Sequence, residues 1–155
     1  MEEYYPLHVR VCEECMLVQL EEYVSRESIF EEYAYFSSYS TSWVEHAKRY
    51  CGAMIERFGL GGDSFVVEIA SNDGYLLQHF VTRGIPVLGI EPAANVAKAA
   101  IARNVPTRIA FFGQRLADDM VAAGQQADLI AANNVLAQVP DLNDFLAGMR
   151  RILKS

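Results

Sequence analysis

The stretch Phe65-Val66-Val67-Glu68-Ile69-Ala70-Ser71-Asn72-Asp73-Gly74-Tyr75-Leu76-Leu77 constrains this chain more than any other. An apolar run that ends in small, turn-forming residues and resumes at helical spacing reads as buried strand, tight loop and helix. Such a junction sets backbone N–H groups and the positive end of a helix dipole at the carboxyl edge of a parallel sheet, where open α/β folds bind small ligands. A second short apolar strand, Pro86-Val87-Leu88-Gly89-Ile90, closes on Glu91 and Pro92. The acidic residue ending the second strand of a βαβ unit sits beside the first loop, where it can accept hydrogen bonds from both hydroxyls of a ribose. Glu91 falls about 20 residues past the loop, the spacing this geometry requires.

The loop is as informative for what it lacks. The dinucleotide fingerprint G-x-G-x-x-G is absent, and between residues 68 and 74 only Gly74 is a glycine. A pyrophosphate pressed onto the backbone is therefore disfavoured. Ala70 and Ser71 are small, and Asn72 and Asp73 are polar residues that tolerate left-handed or turn conformations. The combination suits a ligand with a ribose and no phosphates. An NAD(P)-dependent oxidoreductase domain is the rival reading, and the missing glycines count against it.

Downstream the pattern alternates. Residues 74–83 read as a helix closed by Gly84, 86–91 as the second strand, and 92–104 as an alanine-rich helix able to lie close to a sheet. A third strand over 106–112, a third helix over 113–123 and a fourth strand over 127–132 follow. A last helix over 141–153 carries Leu142, Phe145, Leu146, Met149, Ile152 and Leu153 on its buried face. Strands alternating with helices specify an α/β fold, a Rossmann-like doubly wound parallel sheet. Upstream, Trp43, Ala47, Tyr50, Met54 and Phe58 mark an amphipathic helix over 40–58, stopped by Gly59-Leu60-Gly61-Gly62. That glycine cluster divides the chain into a small α+β module, residues 1–58, and a ligand-binding domain, residues 59–155. His46 and His79 read as surface or packing residues.

The first twenty residues read as a zinc-knuckle hairpin, two short strands around the turn Cys12-Glu13-Glu14-Cys15. Two thiolates at C-x-x-C spacing grip one edge of a tetrahedral metal ion, but a structural site needs four ligands, and His8 is the candidate third. The alternative is two small semi-buried thiols or a latent disulfide, with His8 an ordinary strand residue. Residues 21–42 mix carboxylates with tyrosine and phenylalanine and end in a serine-rich run. Their hydroxyls could hydrogen-bond a sugar, a diphosphate or a cofactor carboxylate; equally, the aromatic rings could pack a small lid with serines as helix caps.

Composition narrows the function classes. At 52% hydrophobic and 21% charged over 155 residues, this is the composition of an ordinary globular protein. A net charge of −7, with thirteen scattered Lys and Arg, argues against a nucleic-acid partner. No apolar run reaches the roughly 18 residues that span a bilayer, and the acidic start lacks the basic segment of a signal peptide, so no membrane partner is expected. Three cysteines, two of them in a C-x-x-C pair, suit a reducing compartment, and a cytoplasmic protein is expected.

Val67 through Leu77 resembles the first cofactor motif of class I S-adenosylmethionine-dependent methyltransferases, and more narrowly that of sugar C-methyltransferases acting on nucleotide-linked deoxyhexoses. Cys12-Glu13-Glu14-Cys15, Tyr35-Phe36-Ser37-Ser38-Tyr39-Ser40 and Asn133-Asn134-Val135-Leu136-Ala137-Gln138-Val139-Pro140-Asp141-Leu142 fit the same family in order. The resemblance implies S-adenosylmethionine as cofactor, held by Glu68, Ala70, Ser71, Asn72, Gly74, Glu91, Pro92, Phe112 and Asn133. Glu68 would orient the loop or the cofactor's amino group, Gly74 would give close approach, Glu91 would hold the ribose, and Asn133 would line the methyl-transfer side. Phe111 and Phe112 stand where a wall for the adenine belongs, or else in the core. A nucleotide-sugar substrate would meet Tyr35, Ser38, Tyr39 and Asn134. Structural zinc would sit on Cys12 and Cys15, whose partner C-x-x-C lies upstream in the family. Relatives often carry His where Gln138 stands here, which removes one candidate acid or base.

The implied chemistry is methyl transfer to a sugar carbon beside a ketone. That carbon is inert until deprotonated, so the reaction needs a general base, stabilisation of the enolate oxygen and an in-line approach to the methyl group. The family takes its acid and base residues largely from a carboxyl-terminal domain, so the catalytic residues are expected outside this sequence and the isolated chain is expected to be inactive. A class I methyltransferase sheet has strands ordered 3-2-1-4-5-7-6, of which the first four are legible. The chain therefore reads as a fragment whose fourth strand forms a sheet edge open to homodimerisation. A non-catalytic module binding a cofactor or a partner protein is the remaining alternative.

Overall fold

A computed structural model describes residues 4–30 and 32–154. The chain runs β1 (Arg10–Val11), β2 (Val18–Gln19), α1 (Arg26–Phe30), a 3-10 turn (Ser37–Tyr39) and α2 (Thr41–Phe58). It continues through β3 (Val66–Ile69), α3 (Gln78–Val81), β4 (Val87–Ile90), α4 (Ala94–Ala102), β5 (Thr107–Arg108) and α5 (Gln114–Ala122). It ends with β6 (Leu129–Ala131), a 3-10 turn (Leu136–Gln138) and α6 (Leu142–Ile152). The four strands of the main sheet are parallel and lie in the order β5-β4-β3-β6, which is the 3-2-1-4 order expected. The chain winds outward from β3 to β5 and then returns to β6 on the other side. The strand order thus reverses beside β3, and in open α/β sheets the crevice at that reversal is where ligands bind.

Burial explains the elements. All four residues of β3 are buried, and this is why the strand reads as apolar on both faces, with Glu68 the one charged residue among them. Val66 joins a core built with α2, Tyr75–Leu77 and Phe80, whereas Val67 and Ile69 join a second core with Phe112, Leu116, Met120, Phe145 and Ile152. Successive side chains of a strand point to opposite faces, so Glu68 shares the face of Val66. Helix α2 starts where the Ser40 hydroxyl accepts from the Trp43 N–H and stops at Gly59, whose φ of 62° is left-handed.

Several elements are shorter than their patterns suggest. Helix α3 spans four residues, not ten, because Asn72 and Gly74 take left-handed φ values of 51° and 78° and the following residues form turns before the helix closes. Strand β5 is two residues long, since β4 offers it only Gly89 and Ile90 before turning away at Glu91 and Pro92. The hairpin strands are also two residues each, paired Arg10 with Gln19 and Val11 with Val18. Two faces are narrower than the periodicity implied. Phe58 is 53% exposed, while Ala47 and Cys51 carry the burial of α2; Leu146 and Leu153 are about half exposed, while Gly148 is buried against Phe112 and Gly113. Among the described residues, no helix is long and apolar enough to cross a membrane.

Candidate functional site

A cavity of about 250 Å³ opens at the carboxyl ends of β3, β4 and β6. Its floor is the loop after β3, where Ala70 and Asn72 adopt left-handed φ values of 57° and 51°. Non-glycine residues seldom take that conformation, and such strain is held only where surrounding contacts over-determine it. Glu91 supplies the contacts. Its buried carboxylate accepts from the Asn72 N–H at 2.9 Å and from the Ala93 N–H at 2.9 Å, so one side chain fixes the loops that follow both β3 and β4. Burial raises the Glu91 carboxyl above its ordinary range, and the two N–H groups oppose that shift.

Glu68 is fully buried at the next position inward, and neither of its carboxylate oxygens has a hydrogen-bond partner among the described residues. Burial drives its carboxyl well above the ordinary range; the neighbouring Tyr75 hydroxyl and Asn133 amide oppose the shift, while the charges of Glu91 and Asp73 add to it. A buried carboxylate with nothing to bond is costly unless a cation or donor completes it. The Tyr75 hydroxyl and the Asn133 amide, 3.3 Å apart, both line the cavity, so Glu68 lies one side chain behind its wall. Trp43 stacks on Tyr75 with ring centroids 5.9 Å apart and extends that wall. Phe111 and Phe112 also line the cavity, the latter edge-on to Phe145 at 5.3 Å. The segment between α1 and α2 covers the cavity with Phe30, Tyr33, Tyr35 and Ser37.

The expected site residues fall into three groups. Ala70, Asn72, Glu91, Pro92, Phe112 and Asn133 line the cavity, as do Tyr35 and Asn134. Glu68, Ser71 and Gly74 lie behind it and are buried. Ser38 and Tyr39 are absent from the lining: the Ser38 hydroxyl donates to the buried Asp73 carboxylate, and Tyr39 is 79% exposed, stacked on Phe36. Arg26, Trp43 and Tyr75 also line the cavity, without a signal in the sequence that singles them out for it. Trp43 and Tyr75 carry core-like signals, a helical stripe and an apolar neighbourhood, and nothing local marks them as facing a ligand. His46 stacks on Trp43 at 5.1 Å and His79 is half-buried, both away from the cavity.

At the hairpin, Cys12 and Cys15 face one another across a turn closed by Met16 N–H to Cys12 O at 2.9 Å. The backbone N–H groups of Cys15 and Glu14 bond the Cys12 sulfur and hold its thiol below the ordinary range. Such N–H groups suit a metal thiolate, yet among the described residues no third His, Cys, Asp or Glu joins the pair. His8 is not gathered to them, and the residues present do not complete a tetrahedral zinc site. The third cysteine is of another kind: Cys51 is fully buried and burial pushes its thiol up to about 12. Brief iodoacetamide treatment of the folded chain should therefore label Cys12 and Cys15 and spare Cys51, as read by peptide mass spectrometry. Equal labelling of all three would contradict this placement.

Comparison with known proteins agrees with this geometry. Residues 67–155 match a family described as "Methyltransferase domain", and residues 1–30 match one described as "Putative zinc binding domain". The C-methyltransferase NovU of Streptomyces niveus is 32% identical over 149 residues, covering 96% of this chain and 36% of that protein. Among solved structures, CalS10, an amino pentose methyltransferase from Micromonospora echinaspora with bound S-adenosylmethionine, superposes with a TM-score of 0.55 at 18% identity. The match covers 79% of this chain and 54% of CalS10. YcgJ from Bacillus subtilis gives 0.54 at 15% identity, covering 72% and 47%. The chain thus spans about a third of the length of NovU and about half that of the solved structures, which at these identities share its fold. With its matched domain, its strand order and a cavity at the point of reversal, the chain belongs to the S-adenosylmethionine-dependent methyltransferase family.

Proposed function

We propose that this chain forms the S-adenosylmethionine site of an enzyme that methylates a carbon of a nucleotide-linked keto-deoxysugar. The observation that carries the cofactor half is the pairing of Glu91 with the loop after β3: a buried carboxylate beside a cavity, over a loop with no glycine-rich cradle for phosphate. Each Glu91 oxygen already takes one backbone N–H and retains a lone pair for a ribose hydroxyl. Phe111 and Phe112 would wall the adenine, and the Tyr75–Asn133 pair, backed by Glu68, would receive the cationic amino-acid end. The bound cofactor supplies an electrophilic methyl group. The protein residues named here orient it and keep water from the reacting face.

The sugar half of the proposal is supported by NovU, a C-methyltransferase, and CalS10, an amino pentose methyltransferase. Tyr35 and Asn134 would present hydroxyl and amide groups to the sugar. Among the described residues the lining holds no histidine and no carboxylate besides Glu91, which Asn72 and Ala93 already engage, so we place the general base outside these lining residues. We take residues 1–58 and 59–155 as the hairpin-and-arm module and the cofactor domain.

Calorimetric titration with S-adenosylhomocysteine, with NAD as control, tests the cofactor half. The chain should bind the former and not the latter. Glu91→Ala should weaken binding by about 30-fold or more, since it removes two hydrogen bonds to a charged group and frees the loop after β3. Equal binding of NAD, or full affinity in the variant, would overturn the reading.

A further inference from the structure

Two carboxamides grip the backbone of the segment that covers the cavity. Asn95, in the first turn of α4, donates to the Tyr33 carbonyl at 2.8 Å and accepts from the Tyr33 N–H at 3.2 Å. Asn72, in the loop after β3, accepts from the Ser37 N–H at 2.8 Å and donates to the Tyr35 carbonyl at 3.1 Å. A carboxamide offers one acceptor and one donor side by side, the pair that a neighbouring strand would present to an extended peptide. The Ser38 hydroxyl adds a bond to the buried Asp73, which Arg103 holds from the end of α4 at 2.8 Å. Both platforms hang from one side chain, because Glu91 fixes the Asn72 N–H and the Ala93 N–H.

Hydrophobic burial does little to keep this arm in place. Of the described residues from 32 to 39 only Ser37 is buried, and Tyr35 is 57% exposed. The rings make a loose chain instead, Phe30 to Tyr33 at 5.3 Å and Tyr33 to Tyr35 at 6.4 Å, with Phe30 reaching Phe111 at 6.1 Å. An element held by a few hydrogen bonds and little buried area belongs to the low-stability end of a fold, where local opening is frequent. Tyr33 and Tyr35 nevertheless line the cavity, so opening of the arm would uncover it.

We propose that Asn95 and Asn72 are positioning residues that latch this arm as a reversible cover, and that unlatching sets the rate at which the cofactor leaves. This inference rests on the S-adenosylmethionine reading of the cavity. Asn95 does not line the cavity, so its effect on ligand escape would pass through the arm alone.

The test uses the whole chain and two readouts. Hydrogen exchange of the ligand-free protein reports the arm, and stopped-flow displacement of S-adenosylhomocysteine, followed by the single tryptophan Trp43 in the cavity wall, reports release. Asn95→Ala should abolish protection of the Tyr33 amide, lower that of the Ser37 amide, which Asn72 still holds, and speed release about tenfold, in line with the loss of two ordinary hydrogen bonds. Asn95→Asp, which keeps the acceptor and loses the donor, should fall between. Lys98→Ala, exposed on the same helix, should change neither readout. Unchanged arm exchange in Asn95→Ala overturns the latch, and faster arm exchange with an unchanged release rate overturns its control of release. Failure of the unmodified chain to bind S-adenosylhomocysteine is a distinct result: it sinks the cofactor reading, and the cover over the cofactor with it.

Discussion

Glu68→Gln should make the protein melt at a higher temperature at neutral pH and, in the same variant, bind S-adenosylhomocysteine more weakly. The stability arm follows from linkage. Burial holds the Glu68 carboxyl well above the 4.5 expected of an exposed glutamate, so between that value and its folded value the native state keeps a proton that the unfolded chain has lost. Where the native state binds more protons, stability falls as pH rises. Glutamine is neutral throughout and removes that slope, leaving the similar, smaller contribution of Glu91 in place. A gain of about 1–2 kcal/mol at pH 7 is the size commonly found when a strained functional group is relieved. The gain should shrink toward nothing below about pH 4, where both states of the glutamate are protonated. The binding arm follows from the two oxygens that lack partners beside the Tyr75–Asn133 pair. Where ligand binding completes those oxygens through the Tyr75–Asn133 pair, glutamine should cost about tenfold or more in affinity. Paired calorimetric melts at pH 4 and pH 7, with a titration at pH 7, read both arms. Weaker binding with a lowered melting point would make Glu68 a structural prop; a raised melting point with full affinity would remove it from the site.

What the sequence exposed was whatever lay close along the chain. The strand from Val66, its loop, and Glu91 at the end of the next strand belong to one βαβ unit, whose handedness and spacing are nearly invariant, so a pattern about 20 residues long could place them together. The alternation of strands and helices gave the parallel α/β class, whereas the four-strand order came from the family resemblance and is the order observed. Local conformation was less accessible. Asn72 and Asp73 were recognisable as turn-tolerant, but it is Asn72 and Gly74 whose left-handed φ values consume the first turns of what reads as one long helix, leaving α3 with four residues. The grip of Asn95 on Tyr33 joins residues 62 apart through backbone atoms of the arm, and backbone atoms leave no mark on residue choice. Trp43 and Tyr75 show the opposite difficulty: each satisfies a core pattern and a cavity wall at once, and only the packing of α2 on the loop separates the two.

Gly74 offers the sharpest test of that separation, because two different demands predict glycine there. Close approach to a ligand would require bare backbone facing the cavity, yet Gly74 is absent from the lining. Its neighbours are protein: a Cβ added at Gly74 would lie 2.9 Å from Val105 Cγ2, 3.1 Å from Val105 Cβ and 3.3 Å from Ala100 Cβ, where the first loop meets the end of α4. All three contacts are with side-chain atoms of fully buried residues, which have little room to give. The φ of 78° adds a conformational penalty of about 1–2 kcal/mol for any L side chain, and overpacking a closed core adds about 1–3 kcal/mol. Gly74→Ala should therefore destabilise the chain by about 3 kcal/mol, a melting-point loss on the order of 10 °C. Gly84→Ala is the matched control. Its φ of 71° is similarly left-handed, but an added Cβ meets nothing within 4 Å, so only the conformational penalty should appear. Thermal melts of the two variants separate packing from backbone strain, and equal losses would mean that Val105 and Ala100 move aside. Titration well below the melting point of Gly74→Ala then asks the functional question. Affinity for S-adenosylhomocysteine within a few-fold of the parent chain is expected if the glycine serves the joint between loop and helix. A collapse of affinity in protein that is still folded would put the bare backbone of Gly74 against the ligand after all.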